Sequence, residues 1–231
     1  MLEERSKLID YTSMVNLNNK TRLLKYEVLG SVDRVYEAEL IEFLVPLVKN
    51  GDCFIDVGAN VGFYAIAMAQ HVESVFAVEP CQETCEVLTR NCLRNQVTNC
   101  EVLNLALSDY DGDADLFIMG RSGGSNTLSS EVARLSPLPP MRSTPVAVRK
   151  GDTVFGEKRI DLIKIDVEGL EFSVLKGFER LIRKDNPLLL IEIWPEKRLE
   201  VERLLKELAY DVWFAFPKYP DMAVCKSTAL N

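Results

Sequence analysis

The feature that most constrains the fold is a regular alternation of short apolar segments with longer segments of helical periodicity. Short apolar segments predict strands, and they occur at 53–57, 75–78, 101–105, 160–165 and 188–193. Helical periodicity follows most of them, at 62–70, 82–95, 170–183 and 196–208. Strands that alternate with helices pair in parallel through right-handed crossovers. The chain is therefore predicted to be an α/β protein with a mostly parallel, doubly wound sheet.

The end of the chain predicts one exception to the parallel order. Segments 211–216 and 222–225 both have strand character, and only a short turn with Pro217, Tyr219 and Pro220 separates them. A connection of that length forces two strands to be antiparallel. At the other end, apolar spacing predicts a helix over 35–49, although Pro46 weakens it near its end.

A long insert interrupts the alternation between 109 and 150. Asp111-Gly112 is a hairpin signal before a strand-like segment at 114–119. Glycines at 120, 123 and 124 and three prolines between 136 and 140 follow. Long loops of this kind are often functional, so residues 120–142 are predicted to form a mobile cover over the acceptor side of the site, where a molecule to be modified would bind.

Residues 1–34 have no assignment, and a single domain is predicted over 35–231.

Composition limits the partners. The formal net charge of the 231 residues is −8, whereas a surface that follows phosphates is basic, so a nucleic-acid partner is not expected. The first residues are charged and no run of about 18 apolar residues occurs, so a cytoplasmic protein without a membrane partner is expected. The six cysteines form no C-x-x-C pair, which favours buried thiols over a zinc site.

A glycine loop at 56–62 is the strongest local signal, because it follows an apolar strand and begins a helix. Gly58 and Gly62 allow a tight turn and a close approach to a ligand, and ligands of such sheets bind at the carboxyl ends of the strands. A dinucleotide fingerprint requires glycine where Asn60 and Phe63 stand. The loop therefore favours a nucleoside ligand without a pyrophosphate, with a tight turn that binds nothing as the alternative.

Acidic residues follow the other predicted strands. Glu79 ends the second strand, where a carboxylate can accept hydrogen bonds from a ribose or cap the next helix. Asp166 and Glu168 follow the fourth strand and Glu192 ends the fifth. These acids either serve a reaction or pair with Lys164 and the start of a helix.

His71, the only histidine, is predicted to be a surface residue. A general base would then be a carboxylate, Lys164, a tyrosine or a metal-bound hydroxide.

Four segments together resemble the FkbM-type methyltransferases. They are Ile55-Asp56-Val57-Gly58-Ala59-Asn60-Val61-Gly62, Glu79-Pro80, Ala106-Leu107-Ser108-Asp109 and Ile163-Lys164-Ile165-Asp166-Val167-Glu168-Gly169-Leu170-Glu171. The resemblance covers about 35–195. It implies the class I methyltransferase (Rossmann-like) fold, S-adenosyl-L-methionine as donor, and methylation of hydroxyl oxygens on sugars and natural products.

The resemblance also implies residue roles. It assigns the methionine end of the cofactor to four residues of the glycine loop: Asp56, Gly58, Asn60 and Gly62. Glu79 would hold the ribose and Ala106 would flank the adenine. Asp166 would lie near the sulfonium and the acceptor, and Glu37 would face the cofactor cleft.

The expected reaction is transfer of a methyl group to an acceptor hydroxyl, with positioning as a main source of acceleration. Asp166, Glu168 or Glu192 would orient or deprotonate that hydroxyl. A divalent cation held by these acids is the less favoured alternative. Two rivals are a nucleoside-binding module without catalysis and an NAD(P)-dependent oxidoreductase, against which Asn60 and Phe63 argue.

Overall fold

The computed structural model describes residues 11–17, 20–26, 37–119, 125–137, 139–214 and 216–230. The elements in chain order are β1 (Tyr11–Leu17), β2 (Lys20–Tyr26), α1 (Ala38–Leu44), β3 (Cys53–Val57), α2 (Phe63–Met68), β4 (Ser74–Val78), α3 (Gln82–Arg94), β5 (Cys100–Leu103), β6 (Ala106–Leu107), β7 (Gly112–Ile118), α4 (Ser130–Leu135), β8 (Arg142–Arg149), α5 (Gly151–Phe155), β9 (Leu162–Ile165), α6 (Glu171–Gly177), α7 (Glu179–Asp185), β10 (Leu188–Glu192), α8 (Arg198–Glu207), β11 (Tyr210–Trp213) and β12 (Met222–Ser227). No helix in these ranges is long and apolar enough to cross a bilayer.

The central sheet has seven strands in the order β11-β12-β10-β9-β3-β4-β5. The pairs among β10, β9, β3, β4 and β5 are parallel, while β12 runs antiparallel to both of its neighbours. The α/β class, the doubly wound order and the single antiparallel strand near the end are therefore confirmed.

Apolar cores on both faces of the sheet explain why its inner strands are mostly apolar, with Asp56 of β3 and Lys164 of β9 as buried charged exceptions. All five residues of β3 are buried. Phe54 belongs to the core under α1, α2 and α3, while the next residue, Ile55, belongs to the core under α5 to α8. Successive side chains of a strand point to opposite faces, so both residue parities must be apolar.

The chain order reverses between β3 and β9. From β3 the sheet grows outward through β4 and β5, and it then continues on the other side with β9 and β10. The carboxyl ends of strands at such a switch point border a crevice that binds ligands. The glycine loop after β3 and the acids after β9 and β10 therefore lie at one edge.

Two predicted helices are shorter than expected. The helix predicted at 170–183 is divided into α6 and α7 at Phe178. A Cβ at Gly177 would lie 2.0 Å from the Ser108 carbonyl oxygen, so the close backbone contact requires glycine, a poor helix former. Helix α1 ends at Leu44 and a 3-10 turn, Val45–Leu47, contains Pro46, because proline has no amide to continue the helix.

The insert forms a small sheet of its own. Strand β8 pairs in parallel with β6 and antiparallel with β7, and α4 lies between β7 and β8. The sequence predicts the strand at β7 but neither α4 nor β8. In the unassigned N-terminal segment, β1 and β2 form an antiparallel hairpin against α1 and α3. Residues 120–124 and 138 of the predicted cover lie outside the described residues.

Candidate active site

The candidate active site is a cleft at the carboxyl ends of β3, β4 and β9. The space between its lining atoms is about 840 Å³, open solvent included. Six residues predicted to bind cofactor or acceptor line it: Gly58, Asn60, Glu79, Ala106, Asp166 and Glu168. The other four, Glu37, Asp56, Gly62 and Glu192, are not among the described lining residues but contact or adjoin them.

The glycine loop has the backbone that the sequence predicts, with positive φ at Gly58, Asn60 and Gly62. A Cβ at Gly58 would lie 1.9 Å from the Asp166 carbonyl oxygen, and one at Gly62 would lie 3.2 Å from Leu88 Cγ. The absent side chains therefore make room for the protein's own atoms as well as for the turn. The loop amides of Gly58 and Ala59 both donate to the Val78 carbonyl, which joins the loop to β4.

Asp56 holds the helix behind the loop. Its Oδ2 accepts a hydrogen bond from the Ala65 amide at 3.0 Å, and its Oδ1 is buried without a hydrogen-bond partner. Lys164 Nζ lies 3.6 Å from Oδ1. Burial raises the pKa of Asp56, against the opposing charge of Lys164. Among the described residues, this side chain thus retains one unsatisfied acceptor close behind the cleft.

Lys164 is the buried cation of the site, with a side chain that is 3% exposed. Its Nζ donates to Asp166 Oδ2 at 3.0 Å and lies 5.0 Å from the centre of the Tyr64 ring. Burial alone would lower its pKa, but the charges of Asp166, Asp56 and Glu37 raise it. Lys164 therefore remains protonated at neutral pH and cannot be the general base.

Tyr64 joins Glu37 to this cation. Its hydroxyl donates to Glu37 Oε2 at 2.6 Å. Burial, followed by the charge of Glu37, raises the pKa of Tyr64 well above its usual value, so the phenol stays neutral. Burial also raises the pKa of Glu37. No local sequence pattern singles out Tyr64, because its partner Glu37 lies 27 residues away in the chain.

Glu79 connects the glycine loop to the turn after β4. Its Oε2 accepts from the Asn60 amide at 3.0 Å and its Oε1 from the Cys81 amide at 2.9 Å. Burial raises the pKa of Glu79 to about 7, while the two amide hydrogen bonds oppose the shift. Pro80 and the segment 105–107 form the adjoining wall. A carboxylate can accept hydrogen bonds from a ribose, and an apolar wall beside it suits the base that the ribose carries.

Asp166, Glu168 and Glu192 come together at the ends of β9 and β10. Ile165 pairs with Ile191, so the residues that follow, Asp166 and Glu192, are neighbours, and the charge of Asp166 acts on the pKa of Glu192. Trp194 Nε1 donates to Glu192 Oε2 at 3.2 Å. Burial, then the charge of Asp166, raises the pKa of Glu192 to about 8 and that of Glu168 to about 9. Glu168 and Glu192 therefore retain protons at neutral pH.

Glu168 is held in a left-handed conformation, φ 56°, that non-glycine residues seldom adopt. Thr127 Oγ1 of the insert donates to its carbonyl at 3.0 Å. Such backbone strain is typical of functional positions. The sequence carried no signal for Thr127, because its partner is distant in the chain.

The insert borders the cleft opposite the sheet. Leu116, Asn126 and Leu128 line it, and Arg142 forms an ion pair with Glu83 of α3. The part of the insert that is described therefore contacts both the Glu79 side and the Glu168 side of the cleft.

The remaining titratable residues play other roles. All six cysteines are free thiols, five of them buried, as expected. Within the described ranges no group of three or more His, Cys, Asp or Glu side chains is arranged to hold a metal ion. His71 is half-buried rather than on the surface, and burial lowers its pKa.

Comparison with known proteins identifies the family. The model of the methyltransferase FkbM domain matches residues 56–212. Methyltransferase sdnD of Sordaria araneosa is 26% identical over 193 residues, which are 68% of this chain and 73% of that protein. The hexuronic acid methyltransferase AglP of Haloferax volcanii is 28% identical over 161 residues, which are 68% of this chain and 62% of that protein.

Solved structures agree on the fold. The methyltransferase FkbM of Methylobacillus flagellatus superposes with a TM-score of 0.57 at 18% identity, over 77% of this chain and 44% of that one. An rRNA methylase of Streptococcus thermophilus gives 0.52 at 11% identity, over 86% of this chain and 100% of that one. This chain spans less than half of the first of these structures. With the domain match, the topology and the cleft in agreement, the chain belongs to the FkbM methyltransferase family and has the class I methyltransferase fold.

Proposed function

We propose that this protein transfers the methyl group of S-adenosyl-L-methionine to a hydroxyl oxygen of a small molecule, a sugar or natural product. The observation that carries the proposal is the division of the cleft. One half has the glycine loop and Glu79, and the other has Asp166 and Glu168, with Glu192 next to Asp166. The first half fits a nucleoside, and the second offers carboxyl groups to a hydroxyl.

The residues present fit the cofactor. Asp56 Oδ1 and Asn60 Oδ1 are buried acceptors without hydrogen-bond partners among the described residues, and an amino acid ammonium is a matching donor. Gly58, Asn60 and the space near Asp56 would hold the methionine end, with Gly62 keeping the loop turned. Glu79 would hold the ribose and Ala106 the adenine. When bound, the cofactor supplies an electrophilic methyl group on a positively charged sulfur.

The protein's own contribution is positioning and proton transfer. Lys164 fixes the Asp166 carboxyl through a charge-assisted hydrogen bond. Trp194 fixes Glu192 from the other side. Asp166 and Glu192 would accept the proton of the acceptor hydroxyl, while Glu168 orients the acceptor. The described part of the insert that lines the cleft, Leu116, Asn126 and Leu128, would exclude water from it.

The relatives support a small polar acceptor without naming one for this chain. AglP is by name a hexuronic acid methyltransferase, which supports a sugar. The rRNA methylase that shares the fold acts, according to its name, on a nucleic acid. The net charge of −8 of this chain argues against such an acceptor.

Calorimetry with S-adenosylmethionine and S-adenosylhomocysteine tests the cofactor, and transfer of labelled methyl to a panel of sugars and hydroxylated natural products tests the acceptor. We expect binding of both cofactor forms and label on at least one hydroxyl compound. Absence of binding, or binding of NAD instead, would refute the proposal. Cofactor binding without transfer to any hydroxyl, amine or carboxylate compound would favour the non-catalytic binding module.

A further inference from the structure

The insert brings to the cleft one polar side chain, Asn126, whose amide group has no role in the proposed reaction. Its Oδ1 accepts a hydrogen bond from the Met119 amide at 3.2 Å. A backbone N–H can only donate, so this bond fixes which end of the Asn126 amide is the oxygen. The other end, Nδ2, is buried and has no hydrogen-bond partner among the described residues. A buried donor without a partner is costly, so its position in the wall of the cleft indicates that a ligand supplies the acceptor.

Asn126 is held in place through the residue that follows it. The backbones of Thr127 and Phe117 exchange two hydrogen bonds, of 2.8 Å and 3.2 Å. Thr127 Oγ1 donates to the Glu168 carbonyl and accepts from the Ser129 amide, both at 3.0 Å. The segment is thus tied to β7, to the edge of the central sheet and to the start of α4. A donor that is fixed before a ligand binds loses little conformational entropy on binding.

The pairing with β7 also gives the direction of the Asn126 side chain. Successive side chains of an extended segment point to opposite faces, so Asn126 and Leu128 lie on one face and Thr127 on the other. Thr127 points to Glu168, in the half of the cleft assigned to the acceptor. Leu128 packs against the apolar cluster that contains Cys81, in the turn after β4. Asn126 therefore faces the cofactor half of the cleft.

The surroundings of Asn126 in this half suit a purine. Pro80 and the segment 105–107 form an apolar wall, and a proline has no amide hydrogen to donate. The ring nitrogens of adenine are hydrogen-bond acceptors. Asn126 Nδ2 is a donor of the kind that such a nitrogen requires.

We propose that Asn126 determines the base specificity of the cofactor site, with its Nδ2 donating a hydrogen bond to a ring nitrogen of the adenine. This inference rests on the proposed function. S-adenosylmethionine and S-adenosylhomocysteine contain the same adenine, so the bond contributes equally to the binding of both. Asn126 is thus a specificity residue and takes no part in methyl transfer.

Calorimetry with S-adenosylhomocysteine and its 1-deaza, 3-deaza and 7-deaza analogues tests this bond, because each analogue replaces one ring nitrogen with a C–H group. We expect the wild type to bind one analogue about tenfold more weakly than S-adenosylhomocysteine. Asn126→Asp keeps the shape of the side chain and an oxygen for the Met119 amide, but it lacks the donor. It should bind S-adenosylhomocysteine about tenfold more weakly than the wild type does, and the penalty of that one analogue should disappear.

Two further variants separate this bond from the general order of the insert. Asn126→Ala removes the whole amide and should also abolish the penalty of that analogue. Ser129→Ala removes the cap of α4 in the same segment, and Ser129 is not among the described lining residues of the cleft. This control should keep the wild-type preference among the four compounds, whatever its Tm.

The outcomes distinguish this inference from the proposed function. If every analogue has the same penalty in the wild type and in both Asn126 variants, the inference is wrong and the methyltransferase proposal stands. Unchanged affinity of Asn126→Asp for S-adenosylhomocysteine would also overturn it, and a raised KM for the methyl acceptor would then assign the donor to the acceptor. Failure of the wild type to bind S-adenosylhomocysteine would overturn the proposed function, and the inference with it.

Discussion

Replacing Glu192 with Gln should stabilise the ligand-free protein, and more so as the pH rises. Glutamine keeps the shape of the side chain, can still accept from the Trp194 indole and can donate to Asp166. It cannot ionise. The substitution therefore removes the electrostatic penalty of the carboxyl and little else.

The sign follows from the direction of the pKa shift. The folded protein holds the Glu192 proton up to a pKa of about 8, whereas an unfolded chain releases it near pH 4.5. Between these values the unfolded state binds fewer protons, so the wild-type free energy of unfolding falls as the pH rises. The glutamine variant lacks this dependence, so its advantage begins near pH 4.5 and is complete near pH 8.

The magnitude has an upper bound. Each unit of pKa difference corresponds to about 1.4 kcal/mol, which gives a ceiling of about 5 kcal/mol at pH 8. Glu192 is half-buried, and solvent that reaches the carboxyl reduces the effect to on the order of 2 kcal/mol. For a chain of this size that raises Tm by roughly 4–8 °C.

Thermal unfolding of both proteins from pH 5 to pH 8 tests the reasoning, with Glu200→Gln as a control for loss of one exposed carboxylate. The Tm difference should be small at pH 5 and largest at pH 8. A difference that does not change with pH, or a glutamine variant less stable than the wild type at pH 8, would refute the assignment of the penalty to Glu192.

Three further changes test the rest of the site. Asp166→Asn should lower methyl transfer by roughly 10²–10⁴-fold while the Kd of S-adenosylhomocysteine changes less than tenfold; normal turnover with a lower Tm would make Asp166 only a partner of Lys164. Glu79→Gln removes the charge and places the side-chain NH2 group against a backbone N–H of Asn60 or Cys81, two donors that cannot hydrogen bond. The affinity for S-adenosylhomocysteine should therefore fall by about 10–100-fold. An unchanged Kd in calorimetry would exclude Glu79 from the cofactor site. Thr127→Val breaks the bond to the Glu168 carbonyl, so hydrogen exchange of residues 125–137 should increase without loss of global stability; identical exchange would show that this bond does not hold the insert.

The sequence predicts the parts of the fold that rest on local patterns. Strands β3, β4, β9 and β10 carry apolar residues on both faces, which makes them recognisable without any partner. Strand β8 contains Pro145 and is only partly buried, and proline argues against a strand. It forms because β6 and β7 pair with it on either side, which no local pattern records.

The candidate site divides in the same way. Glu79, Asp166 and Glu192 could be predicted because the end of a strand at a switch point is a position defined by topology. Tyr64 and Thr127 could not, because their roles depend on Glu37 and Glu168, which lie far from them in sequence. Gly58 was predicted for closeness to a ligand, and the structure adds contact with the Asp166 backbone as a second reason.

The buried carboxyls of the cleft form two sets, which differ in the kind of group that holds them. One set is held by backbone amides, namely Asp56 by Ala65, Glu79 by Asn60 and Cys81, and Glu171 by Gly169. Such amides lower the pKa of a carboxyl and fix loops, so these acids shape the cleft. The other set, Asp166 and Glu192, is held by the side chains of Lys164 and Trp194. A carboxyl that is held by side chains can gain or lose a proton without breaking a loop. This difference supports the proposal that Asp166 and Glu192 serve proton transfer, while Asp56 and Glu79 serve the cofactor half of the cleft.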